Sequence, residues 1–199
     1  MPYRLPHPDN GVTQGELEKI WGFRCDCSLC RIEAATPSKD KKLRVELIDK
    51  VKAFLAQNKQ KNGVKFDKKT IDQAERLYDR MEKTYDSKKF ENMPRIGLVG
   101  LGSWLCLAYS GNEISAKIIQ SALRVLRDLG FVVEIKGEDM RLTRDNCVLE
   151  PGAVDAAVHA AKAYKEHDIA VSKLIEGLAR SLYQTLNGEM RGFEERHGL

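Results

Sequence analysis

The stretch Trp21–Cys30, which reads WGFRCDCSLC, places three of the chain's five cysteines within six residues. Thiolates at a C-x-C-x2-C spacing lie on one short loop and can point at a common centre. Zn²⁺ takes four ligands in a tetrahedral array, and this stretch supplies three of them. The sequence therefore predicts a zinc site formed by Cys25, Cys27 and Cys30, with a fourth ligand from another part of a larger fold. Three free thiols brought together by chance are the alternative.

The two remaining cysteines, Cys106 and Cys147, lie far from this cluster along the chain. Cys106 falls within an apolar helical stretch, and Cys147 follows it in a linker. Neither has a sequence feature that would bring it to the cluster. We therefore predict that each is a small buried hydrophobic residue.

The composition is ordinary for a globular protein, with 199 residues, 42% of them hydrophobic, 31% charged and a net charge of +4. The basic cluster Lys39, Lys41, Lys42 and Arg44 is interpreted as a solvated helix face rather than a nucleic-acid site. No apolar run approaches the ~20 residues that cross a bilayer, and the N-terminus lacks a signal-peptide layout. We expect an intracellular protein of the nucleus or cytoplasm, without membrane or specific nucleic-acid partners, whose cysteines stay reduced.

The region before the cysteines is predicted to be a loop over residues 1–13 and a short helix over 14–21. After the cysteines, Thr36 as N-cap and Pro37 at the first helical position predict a long helix that ends at Asn62-Gly63. Asp67 is predicted to cap the following helix, which reaches about Tyr85. The apolar stripe of the long helix consists of Leu43, Leu47, Ile48, Val51, Phe54 and Leu55.

From Ile96 onward, four further helices are predicted over about 96–109, 113–129, 151–167 and 169–186, followed by a short helix at the end of the chain. They form two antiparallel hairpins, and the linker between them contains a single predicted strand, Phe131–Ile135, followed by a turn over Lys136–Asp139. Stacked hairpins of this kind favour a mainly α, tetratricopeptide-like solenoid. Trp104, Leu107 and Ala108 fit the first helix of that repeat. A plain helical bundle is the open alternative.

The cysteine stretch resembles the post-SET segment of SET-domain protein lysine methyltransferases. It is most similar to the branch that contains the MYND-finger members and their fungal relatives. In that branch, an aromatic residue, a small residue, Phe and any residue precede C-x-C-x2-C, and a helical tetratricopeptide-like domain follows. Residues 181–193 are also similar to the end of fungal members. The resemblance implies that residues 1–35 end a SET domain and contain its post-SET zinc segment, and that residues 36–199 form the helical C-terminal domain.

The resemblance also implies roles for two aromatic residues. Phe23 would pack against the adenine of S-adenosylmethionine, because a flat aromatic face can stack on a purine; filling the core beside Trp21 is the alternative. Tyr3 would be the active-site tyrosine, whose hydroxyl helps to position and deprotonate the target lysine; a disordered N-terminal tyrosine is the alternative. In the family, the fourth zinc cysteine follows an Asn-His motif of the SET core, and no Asn-His-x-Cys motif is present in this sequence.

Three functions are open at this stage. The first is the C-terminal portion of an S-adenosylmethionine-dependent protein (histone) lysine methyltransferase, inactive alone because the SET core is missing. The second is a helical-repeat module that binds a peptide partner, with the cysteine segment as a structural zinc clip. The third is a structural remnant with no role of its own. The four histidines are interpreted as surface or capping residues, and Gly97, Gly100 and Gly102 as positions of close helix packing.

Overall fold

Helices make up most of the chain in the computed structural model, which describes residues 10–59, 65–112, 115–136, 139–143 and 145–198. Tyr3 lies outside the described residues, and so does the Asn62-Gly63 position at which the long helix was predicted to end; the helix itself ends earlier, at Gln57. The elements are α1 (Asn10–Trp21), α2 (Ser28–Ala35), α3 (Ser38–Gln57), α4 (Lys68–Glu82), α5 (Ile96–Gly111), α6 (Ser115–Asp128), β1 (Val132–Lys136), β2 (Asp139–Thr143), α7 (Pro151–Tyr164), α8 (Ile169–Asn187) and α9 (Phe193–His197). The prediction of a mainly α fold, with the cysteine segment followed by stacked helices, is confirmed.

The stack is built by helices that follow one another along the chain. Helix α5 packs on α6, α6 on α7 and α7 on α8, while α3 and α4 pack together and against α5. Helix α7 approaches its neighbours closely because its buried face is formed almost entirely by small residues. These residues are Ala153, Val154, Ala156, Ala157, Val158, Ala160, Ala161 and Ala163. Among the described residues, no helix is both long enough and apolar enough to cross a membrane.

Of the two predicted N-cap residues, Asp67 caps its helix and Thr36 does not. Asp67 caps α4 as predicted, because its carboxylate accepts a hydrogen bond from the Thr70 backbone N–H at 2.7 Å. Thr36 does not cap α3, which begins at Ser38 after Pro37. The Thr36 hydroxyl instead donates to the Ile32 carbonyl oxygen at 3.0 Å, within the last turn of α2.

Three local predictions are wrong. Helix α1 begins at Asn10, within the predicted loop, and α2 covers a segment for which no helix was predicted. The linker contains a second strand, β2, where a single strand was predicted; β2 pairs antiparallel with β1, and Lys136 lies opposite Asp139, as the predicted turn requires. Each of these elements is short and has little apolar periodicity of its own, so its contacts with the rest of the chain determine its conformation.

His197 is not a surface residue, contrary to the prediction. Its side chain is only 7% exposed, and Nδ1 lies 3.7 Å from the Asp155 carboxylate. The imidazole packs against the rings of Tyr183 and Phe193, with centroid distances of 5.8 and 5.1 Å. Burial lowers the pKa of His197 below its usual 6.5. Helix α9 folds back onto the stack, and this long-range contact has no periodic signal in the sequence.

Close helix packing is confirmed at Gly97 and Gly102. A Cβ at Gly97 would lie 2.7 Å from the Tyr85 hydroxyl oxygen, to which the Gly97 backbone N–H donates a hydrogen bond at 3.1 Å. A Cβ at Gly102 would lie 3.1 Å from Cγ2 of Val125. At Gly100 the nearest atom is Cδ1 of Leu55 at 3.5 Å, which is an ordinary contact distance. A side chain at position 97 would therefore have to displace Tyr85, one at position 102 would make a tight contact with Val125, and one at position 100 would have room.

We expect Gly97→Ala to destabilise the protein by about 1–3 kcal/mol, because the new methyl group must displace the Tyr85 side chain. Gly100→Ala is the matched control on the same helix. It should stabilise the protein by about 0.5–1 kcal/mol, because alanine favours the helix and has room there. Urea unfolding of the two variants measures both free energies. Equal effects of the two substitutions would contradict the close packing described here.

Candidate metal centre

Helix α1 holds the first cysteine through the peptide of Cys25. The buried Gln14 amide donates from Nε2 to the Cys25 carbonyl oxygen at 2.9 Å. Its Oε1 accepts a hydrogen bond from the Cys25 backbone N–H, also at 2.9 Å. The chain can return alongside α1 because Gly22 has a φ of 71°, a left-handed conformation that glycine adopts without strain. One side chain thus fixes both polar groups of the Cys25 peptide.

Helix α2 positions the other two cysteines. Cys27 is the N-cap residue of α2, and its carbonyl oxygen accepts a hydrogen bond from the Arg31 backbone N–H at 3.0 Å. Cys30 lies in the first turn. The partial positive charge at a helix N-terminus favours negative groups there, including thiolates. The local fold therefore brings both thiols to the same electropositive helix end.

The structure brings together the three cysteines that the sequence predicted. The sulfur atoms of Cys25, Cys27 and Cys30 all lie within 4.8 Å of one another. An ideal tetrahedral zinc site with Zn–S bonds of about 2.3 Å has sulfur atoms about 3.8 Å apart, so only a small adjustment is needed. Three soft sulfur donors suit Zn²⁺ better than Mg²⁺ or Ca²⁺. In the part of the chain that the structure describes, no further His, Cys, Asp or Glu ligand joins this group.

The thiols influence one another strongly. Burial tends to raise the pKa of Cys27, but hydrogen bonds with Cys30, Cys25 and the Leu29 backbone outweigh it and bring the pKa below the usual 9.0. Burial, together with hydrogen bonds and charges from the other two cysteines, raises the pKa of Cys30 to about 12. Without a cation the three thiols do not ionise together at neutral pH. A divalent ion would remove this repulsion and favour all three thiolates.

The cysteine segment is attached to the stack by the buried guanidinium of Arg44, which is 2% exposed. Its Nη1 donates to both carboxylate oxygens of Glu33 on α2, each at 2.7 Å. Its Nη2 and Nε donate to the carbonyl and hydroxyl oxygens of Thr84, at 2.6 and 3.1 Å. Its Cζ lies 3.7 Å from the centroid of the Tyr85 ring. A single side chain of α3 therefore joins α2 to the segment after α4.

This position of Arg44 corrects its assignment to a solvated basic face. Leu43, which the sequence placed in the apolar stripe, is 36% exposed. Arg44 lies three residues before Leu47 and four before Ile48, so helical spacing places it on the buried face of α3. Its charge argued against burial, because arginine is seldom buried without a partner. The buried residues of α3 are Arg44, Leu47, Ile48, Val51 and Phe54.

Phe23 lies at the surface, where it is 51% exposed, beside Trp21, which is 54% exposed. The alternative that Phe23 fills the core beside Trp21 is therefore wrong for the described chain. Ile20 and Val12 are also exposed large hydrophobic residues of α1. The end of α1 and the loop that follows it thus present apolar side chains to the outside, next to the cysteine cluster.

A cavity of about 470 Å³ adjoins the cluster between α1, the cysteine loop, α2 and α3. Cys25 and Cys30 line it, and so do side chains of both charges. The charged residues of its wall are Arg24, Asp26, Arg31, Glu33, Lys41 and Arg44.

The two other cysteines lie apart from the cluster, as predicted. Cys106 is fully buried in α5, and burial raises the pKa of its thiol to about 12. Cys147 is only half-buried and packs against the core, so the prediction of full burial is wrong for this residue. Cys147 lies in the segment between β2 and α7, whereas Cys106 lies within a helix that is largely buried.

A scan against models of protein families matches none of them, and a search of curated proteins finds no matching relative.

We expect the chain to bind one zinc ion with an affinity that falls at least tenfold for each pH unit of acidification. At least one proton, that of Cys30, must leave for each ion bound. Competition with a chromophoric chelator over a series of pH values measures this slope. Cys27→Ser should weaken binding strongly, whereas Cys147→Ser is the control and should not. A flat pH dependence, or equal losses in both variants, would contradict the assignment.

We expect Arg44→Ala to destabilise the fold by about 3–5 kcal/mol, because it leaves the Glu33 carboxylate without its buried partner. Glu33→Gln keeps the shape of the side chain but leaves the buried Arg44 charge uncompensated, so it should cost a similar amount. Chemical unfolding gives both free energies, and hydrogen exchange of the α2 amides locates the effect. Faster exchange in α2 than in α6 and α7 of the Arg44 variant is the expected pattern. Unchanged protection of α2 would show that Arg44 does not attach this helix.

Proposed function

We propose that this chain is the C-terminal part of a SET-type protein lysine methyltransferase that uses S-adenosylmethionine. Cys25, Cys27 and Cys30 would hold a structural zinc ion, and Phe23 would stack on the adenine of the cofactor. One observation carries this proposal: a three-thiol centre lies directly beside an exposed phenylalanine and is followed by a helical stack. This is the order of parts that the post-SET resemblance implies.

The ligand count of the centre supports the proposal. Structural zinc sites in proteins have four protein ligands, and the described residues supply three sulfur atoms. In the SET family the fourth ligand is a cysteine of the catalytic core. A three-thiol group held rigidly by Gln14 and α2 is what such a core would require of its C-terminal segment.

The exposed apolar side chains of α1 and the following loop support the same proposal. Trp21, Phe23, Ile20 and Val12 are exposed, and Phe23 lies two residues before Cys25 in the sequence. Covering one such side chain contributes about 1.5–3 kcal/mol. A SET core that packs against this surface would bury them and, at the same time, bring its cysteine to the metal. The cofactor would then lie between the core and Phe23.

The proposed substrate is a lysine side chain of a histone or another protein, in the nucleus or the cytoplasm. The helical domain would form one wall of the cleft that admits it. Tyr3, outside the described residues, would position the lysine ε-amine and help to remove its proton before methyl transfer. On this proposal the chain is inactive alone, because the SET core that completes the cofactor site lies outside these 199 residues.

A peptide-binding module with the cysteine segment as a zinc clip is the second candidate. The exposure of Leu107 on α5 favours it, because this residue is 40% exposed on a helix that is otherwise largely buried. An apolar side chain on the surface of a helical stack is a feature of grooves that bind peptides.

The test of the first candidate compares the 199-residue chain with the native product of its gene, purified from the source cells. We expect the chain to show no transfer of labelled methyl groups from S-adenosylmethionine to histones or lysate proteins. A longer native product with an Asn-His-x-Cys segment should methylate lysine. In that product Phe23→Ala should weaken cofactor binding about 5- to 150-fold, as expected for the loss of one base-stacking contact.

Leu107→Ala is the matched control for this experiment, because it removes an exposed apolar side chain of α5, outside the three-cysteine segment. It should leave cofactor affinity unchanged. Methyl transfer by the 199-residue chain itself would contradict the need for a separate core. A native product that ends at these 199 residues, binds no cofactor and retains a peptide partner only when Leu107 is intact would support the second candidate instead.

A further inference from the structure

The cavity beside the cysteine cluster has an excess of positive charge, which a site for a zinc cation does not require. Its wall contains four basic and two acidic side chains. Arg44 and Glu33 neutralise each other through the two hydrogen bonds described above. Three basic residues, Arg24, Arg31 and Lys41, therefore face a single remaining carboxylate, that of Asp26.

These three cations are available to a ligand. Arg24 and Arg31 are exposed, and the ion pair between Arg24 and Glu18 is a loose contact of 3.9 Å between exposed groups. Lys41 donates from Nζ to the Ala34 carbonyl oxygen at 2.7 Å, which holds the ammonium at the end of α2 without neutralising it. A zinc ion with three thiolates carries one negative charge. The cavity therefore keeps a net positive charge even when the metal is bound.

The cavity also borders the metal centre itself. Cys25 and Cys30 both line it, so two of the three sulfur-bearing residues face the same space. Zinc with three protein ligands keeps one position for an external ligand. A volume of about 470 Å³ lies within the range of cavities that bind small molecules.

We propose that this cavity binds a small anionic thiol, whose sulfur takes the fourth position on the metal and whose carboxylate pairs with Arg24 and Arg31. Sulfur is favoured because the ion already has three soft ligands, which thiolate matches better than water or carboxylate does. The thiol proton passes to the solvent, the sulfur lone pair forms the bond to the ion, the water molecule that held the fourth position leaves, and nothing is oxidised or reduced. The inference rests on the zinc site of the proposed function, but not on methyl transfer. The small thiol would take the position that a core cysteine takes in the SET family, so the two ligands exclude each other.

The test uses the full 199-residue chain loaded with Co²⁺, whose visible absorption reports the number and arrangement of its sulfur ligands. The probes are 3-mercaptopropionate and 2-mercaptoethanol, which differ mainly in that only the first carries a carboxylate. We expect 3-mercaptopropionate to saturate the cobalt spectrum at an about tenfold lower concentration. Added salt should reduce this preference, because the pairs with the arginines are exposed and screened.

The variant Arg24→Ala/Arg31→Ala should lose the preference and bind the two thiols with similar affinity. Lys50→Ala is the matched control, because Lys50 is an exposed basic residue of α3 outside the cavity. The two probes differ in thiol acidity, but that difference is the same in every variant, so the comparison isolates the arginines. Circular dichroism verifies that each variant keeps its helices.

Three results would overturn the inference. The first is equal affinity for the two thiols in the unaltered chain, and the second is an unchanged preference in the double arginine variant. The third is a four-sulfur cobalt spectrum before any thiol is added, because the chain would then supply its own fourth ligand. Failure to take up cobalt or zinc would overturn both this inference and the metal centre of the proposed function. Normal metal uptake without a preference would overturn the inference alone.

Discussion

The buried guanidinium of Arg44 is the interaction on which the geometry of the cysteine segment depends. A positive charge inside a protein must be compensated, and Glu33 is the carboxylate that does so. Because Glu33 lies on α2, that helix must dock against α3 for the charge to be satisfied. Cys27 and Cys30, at the start of the same helix, are thereby placed at a fixed position relative to the stack.

The surroundings of Arg44 extend this constraint into the body of the protein. Tyr85 lies beneath the guanidinium, its ring contacts Phe90 edge-on at 4.9 Å, and its hydroxyl accepts the Gly97 N–H. Burial raises the pKa of the Tyr85 hydroxyl to about 12, so this group stays neutral. The first turn of α5 can approach it only because position 97 has no side chain. The metal centre is therefore connected to the central helix of the stack through contiguous packed groups.

A second buried carboxylate, Asp128, organises the opposite side of α4. It accepts hydrogen bonds from the Tyr78 hydroxyl and the Arg95 guanidinium, and the Arg95 backbone N–H donates to its carbonyl oxygen at 2.7 Å. Glu82 accepts from both Arg95 and Arg127, at 3.1 and 2.8 Å. The end of α6 is thus tied to α4 and to the start of α5. Two ionic networks, rather than apolar contacts alone, determine how the first helices meet the stack.

Two features could be predicted from the sequence because their signals are local: the long helices, from their periodicity, and the cysteine group, from its spacing. Asp67 and the apolar stripe of α3 illustrate the first, and the C-x-C-x2-C spacing illustrates the second. The burial of Arg44 depends on a partner eleven residues earlier and another forty residues later, and no local pattern reports such contacts. The same reason applies to His197, which is buried by α7 and α8, and to the exposure of Phe23.

In the proposed function, this chain holds a zinc ion through three sulfur atoms and leaves the fourth position to a ligand from outside the described residues. X-ray absorption spectroscopy of the zinc-loaded chain, purified without added thiol, measures the ligand set directly. We expect one zinc per chain, with three sulfur atoms at about 2.3 Å and one lighter ligand atom. Four sulfur ligands in the isolated chain, or zinc bound without sulfur, would contradict it.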